Sequence, residues 1–373
     1  MNIGFDAKRA FCNYTGLGNY SRFVINALKD NFPNNNYNLY TPKIVKNTET
    51  ELLFNNTSIV SPKGIYQAKI LSSYWRSFSL LNYVKEDKID LFHGLSNELP
   101  FFKKSSIRKV VTIHDLIFLR FPHLYSFPDR KIYEAKFKLA CKQADKIVAI
   151  SEQTKADIID FFGIPEKKIE VIYQGCHTSF YGSPTENDKI RVAKKYNLPS
   201  TFLLSVGTIE ERKNVLLILK AMKIGNIKEQ LVIVGRATGY LKVLKEFIAK
   251  NNLDHQVIFL HEVNFIDLPT LYHLATIFIY PSKFEGFGIP IIEAQNCYLP
   301  VVAAKGSCLE EAGGGAAVYV NPQDPEELAV TLEHLLESLD TRNQMIKAGI
   351  SHLEKFNENR IAFDLLQLYK SIS

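Results

Sequence analysis

The sequence predicts an α/β protein of two domains, each a doubly wound parallel sheet. Three observations carry that expectation. Short apolar runs ending in polar or glycine turns alternate with stretches of helical period along most of the chain, and strands alternating with helices build a parallel sheet covered on both faces. A length of 373 residues is long for one domain and natural for two. From Gly175 to Ser200 the pattern loosens into the polar run Ser183-Pro-Thr-Glu-Asn-Asp-Lys189, a short basic helix to Tyr196, and Leu198-Pro199. Such a stretch reads as a boundary, giving an N-terminal domain over 1–185, a linker over 186–199 and a C-terminal domain over 200–356.

In the first domain Met1–Asp6 reads as a buried strand. A loop to Gly16-Leu-Gly18 follows, then a helix over Asn19–Lys29, apolar at Phe23, Val24, Ala27 and Leu28. As a dinucleotide fingerprint Gly16-x-Gly18 is poor, because its glycines do not follow the strand directly and no third glycine completes it. A glycine turn at a helix start still allows a phosphate or an acceptor to approach closely. Weak strands at Asn38–Tyr40 and Ser58–Val60 precede a helix candidate over Ala68–Lys85, rich in aromatic residues. Asp90–Phe92, Lys109–Ile113, Lys146–Ile150 and Ile169–Ile172 complete the strands of this half. Ser151 is placed to cap the helix running to Phe162. His93 and His114 stand at strand ends, where doubly wound sheets take ligands; a lone His is as readily a packed structural residue. Phe121–Lys142 is basic and aromatic, which suits either a solvated amphipathic helix or a surface lying on anionic lipid.

The second domain opens with a strand over Phe202–Val206, a loop from Gly207 to Asn214 and a helix from Val215 to Met222. Arg212 and Lys213 therefore sit where a helix start follows a parallel strand, suited to neutralising a diphosphate and the charge that develops on a leaving nucleoside diphosphate. Leu231–Val234, Val257–Leu260 and Pro300–Ala303 are further strands. Helices are expected over Leu241–Lys250, Leu268–Tyr272, Asp324–Ser338, Arg342–Lys355 and, last, Asn357–Ile372.

The most informative stretch is Tyr280–Glu293, YPSKFEGFGIPIIE. The strand Thr276–Tyr280 enters a polar turn and a Gly-Phe-Gly loop, and Pro290 occupies a first helical position, where its missing N–H would be unpaired anyway. The amides of Phe287, Gly288 and Ile289 are then expected at a helix start that favours an anion. Glu285 and Glu293, eight positions apart, bracket it. Alone they could be solvated helix-end charges. Around an anion site they suit a nucleotide sugar, because a carboxylate accepts paired hydrogen bonds from a vicinal diol; Glu293 would hold the ribose and Glu285 the sugar.

The net charge of +6 and pI near 8.8 suit an anionic ligand or membrane surface without deciding between them. Five scattered cysteines without C-x-x-C spacing read as free thiols of a reducing cytoplasm. The N-terminus shows no secretory signal and no run reaches the roughly 18 apolar residues of a membrane span. A cytoplasmic protein, soluble or peripheral at the inner membrane, is expected, with no nucleic-acid partner.

The run FEGFGIPIIEA resembles the signature of the retaining glycosyltransferases of family 4, which have the GT-B fold, and the likeness extends through most of the chain. The loop Gly207-Thr-Ile-Glu-Glu-Arg-Lys-Asn214 resembles the family's phosphate-binding motif, VTIHDL carries its His at His114, and Ser307–Gly315 resembles its Ser-x-x-Glu-x-Gly-Gly turn. The resemblance implies two Rossmann-like domains facing across a cleft, with the last helix, 357–373, crossing back to the first domain. His114, Glu285, Lys213 and Arg212 are the implied catalytic set. Glu293, Gly286, Phe287, Gly288, Ile289, Gly207, Val263, Gly16 and Gly18 are the implied donor-binding set. Val263 follows His261, where many relatives have Gly, in a segment that contacts the base. Tyr298 replaces the Gly usual before the strand Pro300–Ala303.

No Asp-x-Asp and no Cys/His cluster of metal-ligand spacing occurs, so no metal or other cofactor is expected, as is typical of GT-B enzymes. No side chain stands out as a covalent nucleophile, which favours front-face attack assisted by the leaving phosphate oxygen. The texture of FLRFP, ISEQTKADI and VGTIEERKNV looks most like bacterial mannosyl- and rhamnosyltransferases of surface polysaccharide, which implies GDP-mannose as donor and a saccharide or polyprenol-linked acceptor. A nucleotide-sugar epimerase of the same architecture and a non-catalytic nucleotide-sugar-binding partner are the alternatives, since fold does not fix function.

Overall fold

The computed structural model describes residues 1–13, 15–47, 49–62, 71, 74–102 and 105–372. The chain forms two compact units, Met1–Gly175 with Phe356–Ser373, and Cys176–Lys355.

Unit 1 is built on seven strands: β1 (Asn2–Asp6), β2 (Asn36–Tyr40), β3 (Ser58–Val60), β4 (Leu91–Gly94), β5 (Arg108–Ile113), β6 (Lys146–Ala149) and β7 (Ile169–Val171). Their order is β3-β2-β1-β4-β5-β6-β7, with every pair parallel. The central strands carry buried apolar runs, such as Val110–Val111 of β5 and Ile147–Ala149 of β6, because helices cover both faces. One core cluster packs Val111, Ile147, Ile158 and Phe162; another gathers Tyr40, Trp75, Val84 and Phe92. The final helix, Glu358–Lys370, packs against the helix Gly16–Asn31 of this unit, as the resemblance implied. Its Tyr369 hydroxyl lies 2.6 Å from His93 Nδ1, and His93 Nε2 lies 2.9 Å from Thr112 Oγ1. With both ring nitrogens engaged and burial pushing its pKa down to about 3, His93 is a packed structural residue.

Unit 2 holds β8 (Phe202–Val206), β9 (Gln230–Val234), β10 (Val257–Leu260), β11 (Ile277–Tyr280), β12 (Val301–Ala304) and β13 (Ala317–Val320), in the order β10-β9-β8-β11-β12-β13, again all parallel. Its core joins Leu203, Ile218, Leu231, Ile277, Val302, Leu328 and Leu332; each such side chain contributes roughly 1.5–3 kcal/mol on burial. In each sheet the order reverses direction once, at β1/β4 and at β8/β11. These are the switch points where doubly wound sheets bind ligands beyond the strands' carboxyl ends.

Three expectations change. The boundary falls at Gly175/Cys176, and the expected linker is a helix, Glu186–Lys195, of unit 2. Thr185 caps it by accepting from Asp188 N, and Arg191, Lys195 and the Tyr196 hydroxyl all reach the buried Asp267, at 2.7, 2.7 and 2.9 Å. A polar run passed for a linker because its ion pairs are made with a residue more than 70 positions away. Strand β13 was not expected; it is an edge strand that follows a glycine triplet. Of the helix candidate 68–85, residues 68–70 and 72–73 lie outside the described residues, Trp75–Ser79 forms a π-helical turn and Leu80–Glu86 is α-helical.

The basic aromatic stretch forms a helix over Phe127–Gln143 that buries only Ala140 and Cys141. Cys12 is exposed and the other four cysteines are buried, all free thiols. Among the described residues no helix is long and apolar enough to cross a membrane.

Candidate functional site

At the switch point of unit 2 the loops after β8 and β11 are stitched together. Asn214, buried and in the left-handed region (φ 59°), donates its side-chain amide to the carbonyls of Pro281 at 3.1 Å and Pro322 at 2.8 Å. Lys283 N donates to Arg212 O at 2.9 Å. These bonds bring Arg212 and Lys213 to Glu285, although 72 residues separate Lys213 from Glu285 in the sequence. Arg212 Nη1 pairs with Glu285 Oε2 and Lys213 Nζ with Glu285 Oε1, both at 2.7 Å.

Burial by itself would raise the Glu285 pKa; Lys213 and Arg212 overcome it and hold the carboxyl at about 2. Burial opposes the Arg212 charge as well, but Glu285 and Glu210 more than offset that and raise its pKa. Arg212 is further fixed by donating to Phe284 O at 2.6 Å and Glu210 Oε1 at 2.7 Å. Lys213 Nζ also donates to the Tyr280 hydroxyl at 2.6 Å and lies 4.8 Å from the centre of that ring. Gly207 makes room for it: its φ of +148° favours glycine, and a Cβ there would stand 3.3 Å from Lys213 Cε.

The helix that follows runs Ile289–Asn296, with Gly288 (φ +124°) as its N-cap and Pro290 in its first turn. A Cβ on Gly288 would come within 2.9 Å of Leu309 Cδ2, so the Ser307–Gly315 turn backs this loop; Cys308 Sγ also donates to Glu285 O at 3.0 Å. Of the three amides expected at the anion site, those of Gly288 and Ile289 show no partner among the described residues. Gly286 and Phe287 make contacts of their own, and the Phe287 side chain is buried. Glu293 differs sharply from Glu285. Among the described residues it has no cation beside it, only the Tyr272 hydroxyl donating to Oε2 at 3.0 Å. Burial therefore prevails over that hydrogen bond and pushes its pKa up to about 7. Val263 is half-buried in the loop after β10, and His261 Nδ1 lies 3.0 Å from Gly235 O.

In unit 1, His114 follows β5. Its backbone N–H donates to Asn97 Oδ1 at 2.7 Å, and its Nε2 lies 2.9 Å from Leu95 O. A carbonyl can only accept, so Nε2 carries the proton and Nδ1 presents a lone pair. Burial, with Arg9 acting in the same direction, lowers its pKa to about 4 and keeps the ring neutral. The Tyr20 ring packs edge-on at 4.6 Å. Gly16 and Gly18 part company. A Cβ on Gly18 would meet Asn13 O at 1.8 Å, so Gly18 serves helix–loop packing, while Gly16 faces open space.

Comparison with known proteins extends these findings to the whole chain. Residues 24–180 match the family model described as Glycosyltransferase Family 4, and residues 186–352 match the one described as Glycosyl transferases group 1. The chain belongs to the family 4 glycosyltransferases. It is 29% identical over 294 residues to the O-antigen chain mannosyltransferase RfbU of Salmonella typhimurium, covering 79% of this chain and 75% of that protein. It is 27% identical over 296 residues to the O-antigen chain mannosyltransferase B of Escherichia coli, covering 77% and 76%. Anabaena HepE, solved in complex with UDP, has the same GT-B fold, with a TM-score of 0.75, 18% identity and full coverage of both chains.

Sequence reasoning gave no role to four side chains that shape the site of this glycosyltransferase: Tyr280 and Glu210, which steady Lys213 and Arg212, Asn214, which ties the loops, and Tyr272, which meets Glu293. Tyr280 and Asn214 stood inside the very stretches singled out. Their neighbours gave no hint of their partners, which the sheet order alone brings close.

Proposed function

We propose that this glycosyltransferase is retaining and metal-independent, and that it moves a mannose-type hexose from GDP-mannose to a saccharide or lipid-linked saccharide in cell-surface polysaccharide synthesis. The observation that carries the reading is the Arg212–Glu285–Lys213 cluster at the switch point of unit 2. Two preorganised cations beside a helix start match a diphosphate and the charge that develops on it as the sugar departs. In the ligand-free protein Glu285 pairs with both, and Glu210 supplies Arg212 with a second carboxylate. An arriving diphosphate competes for the two cations and leaves Glu285 to accept sugar hydroxyls. Glu293 takes the ribose, and the free Nδ1 of His114 accepts from a hydroxyl of the sugar. Attack on the same face as the departing phosphate then fits a site in which no carboxylate is offered as a nucleophile.

The mannose assignment is supported by the names of the two O-antigen relatives. Peripheral attachment to an anionic membrane is supported by Phe127, Ile132 and Leu139, 64%, 51% and 47% exposed on a helix that also carries Arg130, Lys131 and Lys138. Cosedimentation with anionic but not neutral vesicles is expected.

The test is transfer from GDP-, UDP- and ADP-sugars to oligosaccharide acceptors, with and without EDTA. Transfer from GDP-mannose that survives EDTA and yields an α-linked product is expected. Isomerised donor without transfer would replace the reading by an epimerase.

A further inference from the structure

Four buried side chains of unit 1 form one hydrogen-bonded chain that ends against a residue of the site. Tyr369, on the final helix, has its hydroxyl 2.6 Å from His93 Nδ1; His93 Nε2 lies 2.9 Å from Thr112 Oγ1, and Thr112 Oγ1 lies 3.0 Å from the Tyr20 hydroxyl. The Tyr20 ring in turn stands edge-on to the His114 ring, with centroids 4.6 Å apart and planes at 88°. The chain draws on two helices and two strands, and every member of it is buried.

Burial keeps the His93 ring neutral, and a neutral imidazole has one N–H and one lone pair. Of Tyr369 and Thr112, one therefore donates to the ring and the other accepts from it. In either tautomer, loss of the Tyr369 hydroxyl takes away the match of Nδ1, and the cost of an unmatched buried group makes the ring and Thr112 readjust. Apolar side chains of the same shape would fill this space at little cost in stability; what a fully matched buried network adds is a single arrangement.

That arrangement bears on His114. Its Nε2–H is donated to Leu95 O and its backbone N–H to Asn97 Oδ1, while Asn97 N donates to Thr112 O at 2.9 Å. These bonds fix one edge of the imidazole, and the Tyr20 ring packed against it fixes the tilt about that edge. The tilt sets where the Nδ1 lone pair points, and a hydrogen bond weakens steeply once donor and acceptor are misaligned.

We propose that Tyr369, His93, Thr112 and Tyr20 are positioning residues for His114, with Tyr20 passing to the His114 ring an orientation fixed from the final helix. The inference rests on the reading of His114 as the group that accepts from a sugar hydroxyl, and adds four residues that act through it.

Two measurements test it. The first needs no turnover. In protein carrying isotopically labelled histidine, the ring-nitrogen resonances of His114, assigned by their loss in His114→Ala, are expected to move in Tyr369→Phe and in Tyr20→Phe, which keeps the ring and removes only its hydroxyl. Tyr37→Phe is the control: the Tyr37 hydroxyl is also buried, donates to Leu28 O at 2.8 Å and lies off the chain, so its loss should leave those resonances in place. Resonances unmoved by Tyr369→Phe and Tyr20→Phe, or moved as far by Tyr37→Phe, overturn the proposal. The second is a double-mutant cycle on GDP-mannose turnover. Tyr369→Phe should lower kcat by about three- to tenfold with a smaller change in the donor KM, and by less than about 1.5-fold once His114→Ala is present, because a residue that acts through His114 then has nothing left to position. An equal fall in both backgrounds would show a merely structural role and overturn the proposal. Thr112→Val cuts the same chain at its middle with a side chain of the same shape, and takes the place of Tyr369→Phe if that variant does not fold. Donor left unconsumed by the wild type, or His114→Ala turning over at the wild-type rate, would refute the reading of the site, and the spectra would then decide the network alone.

Discussion

The two units have sheets of the same winding and gather charge at the same topological point, yet they solve the electrostatics in opposite ways. In unit 2 each cation has a carboxylate: Glu285 takes one guanidinium nitrogen and one ammonium at 2.7 Å. In unit 1 the roles are reversed: one guanidinium, Arg76, stands between two carboxylates, Asp6 and Glu98, and Lys136 also reaches Glu98. Topology decides where charge gathers, and the side chains around each switch point decide which sign stands at its centre. On the proposed function, the unit 2 arrangement exchanges partners when a diphosphate binds, and recognition is coupled to the release of Glu285.

The largest effect that would break this contrast is loss of a unit 2 cation. Lys213→Ala should lower kcat by roughly 10²–10³-fold, because it removes preorganised charge where charge develops, while circular dichroism shows the fold retained. Turnover at the wild-type rate would take Lys213 out of the site.

Next is the contrast inside unit 2, between Glu285 held at about 2 and Glu293 pushed to about 7. Ribose hydroxyls donate, so they favour the ionised Glu293; affinity for GDP-mannose, whose doubly esterified diphosphate does not titrate in this range, should rise from pH 6 to pH 8, with a proton released on binding that calorimetry in buffers of different ionisation enthalpy can count. The sign for folding runs the other way. The folded pKa lies above the ordinary 4.5, so the contribution of Glu293 to apo-protein stability is present below pH 4.5 and is lost as pH rises to about 7. Glu293→Gln should abolish the pH dependence of GDP-mannose affinity and weaken binding by about tenfold; a dependence that persists would refute the ribose assignment.

Smaller still is Tyr280→Phe, which removes the hydroxyl accepting from Lys213 but keeps the ring beneath it. A several-fold fall in kcat is expected, from a looser Lys213, with a KM for donor that changes less.

How much of this was legible differs between the units for a physical reason. The unit 2 site is written in two short runs, Gly207–Asn214 and Glu285–Glu293, because a parallel strand delivers its loop directly to the switch point. The unit 1 cluster is assembled from residues 6, 76, 98 and 136, which no local pattern joins. His93 and His114 looked alike in the sequence as strand-end histidines. Only the final helix, which brings Tyr369 to His93 across 276 residues, separates them. The linker expectation failed in the same way, since Asp267 is invisible from 186–199.

Tyr298 supplies the smallest prediction and a control. It holds φ +57°, the left-handed region that explains why glycine is usual there. Tyr298→Gly should raise stability by no more than about 1 kcal/mol, as relief of that strain offsets glycine's entropy cost, and should leave kcat unchanged. A large effect on kcat would mean that stability and site are coupled within unit 2.

The central claim is that the donor's diphosphate is held by unit 2 through Arg212, Lys213 and the loop of Gly288. A crystal structure with a GDP-sugar tests it most directly. Phosphate oxygens within hydrogen-bonding distance of Lys213 Nζ and the Gly288 amide, with Glu285 turned from its cations to the sugar, is the predicted result. A nucleotide bound elsewhere, with the Arg212–Glu285–Lys213 pairs intact, would contradict it.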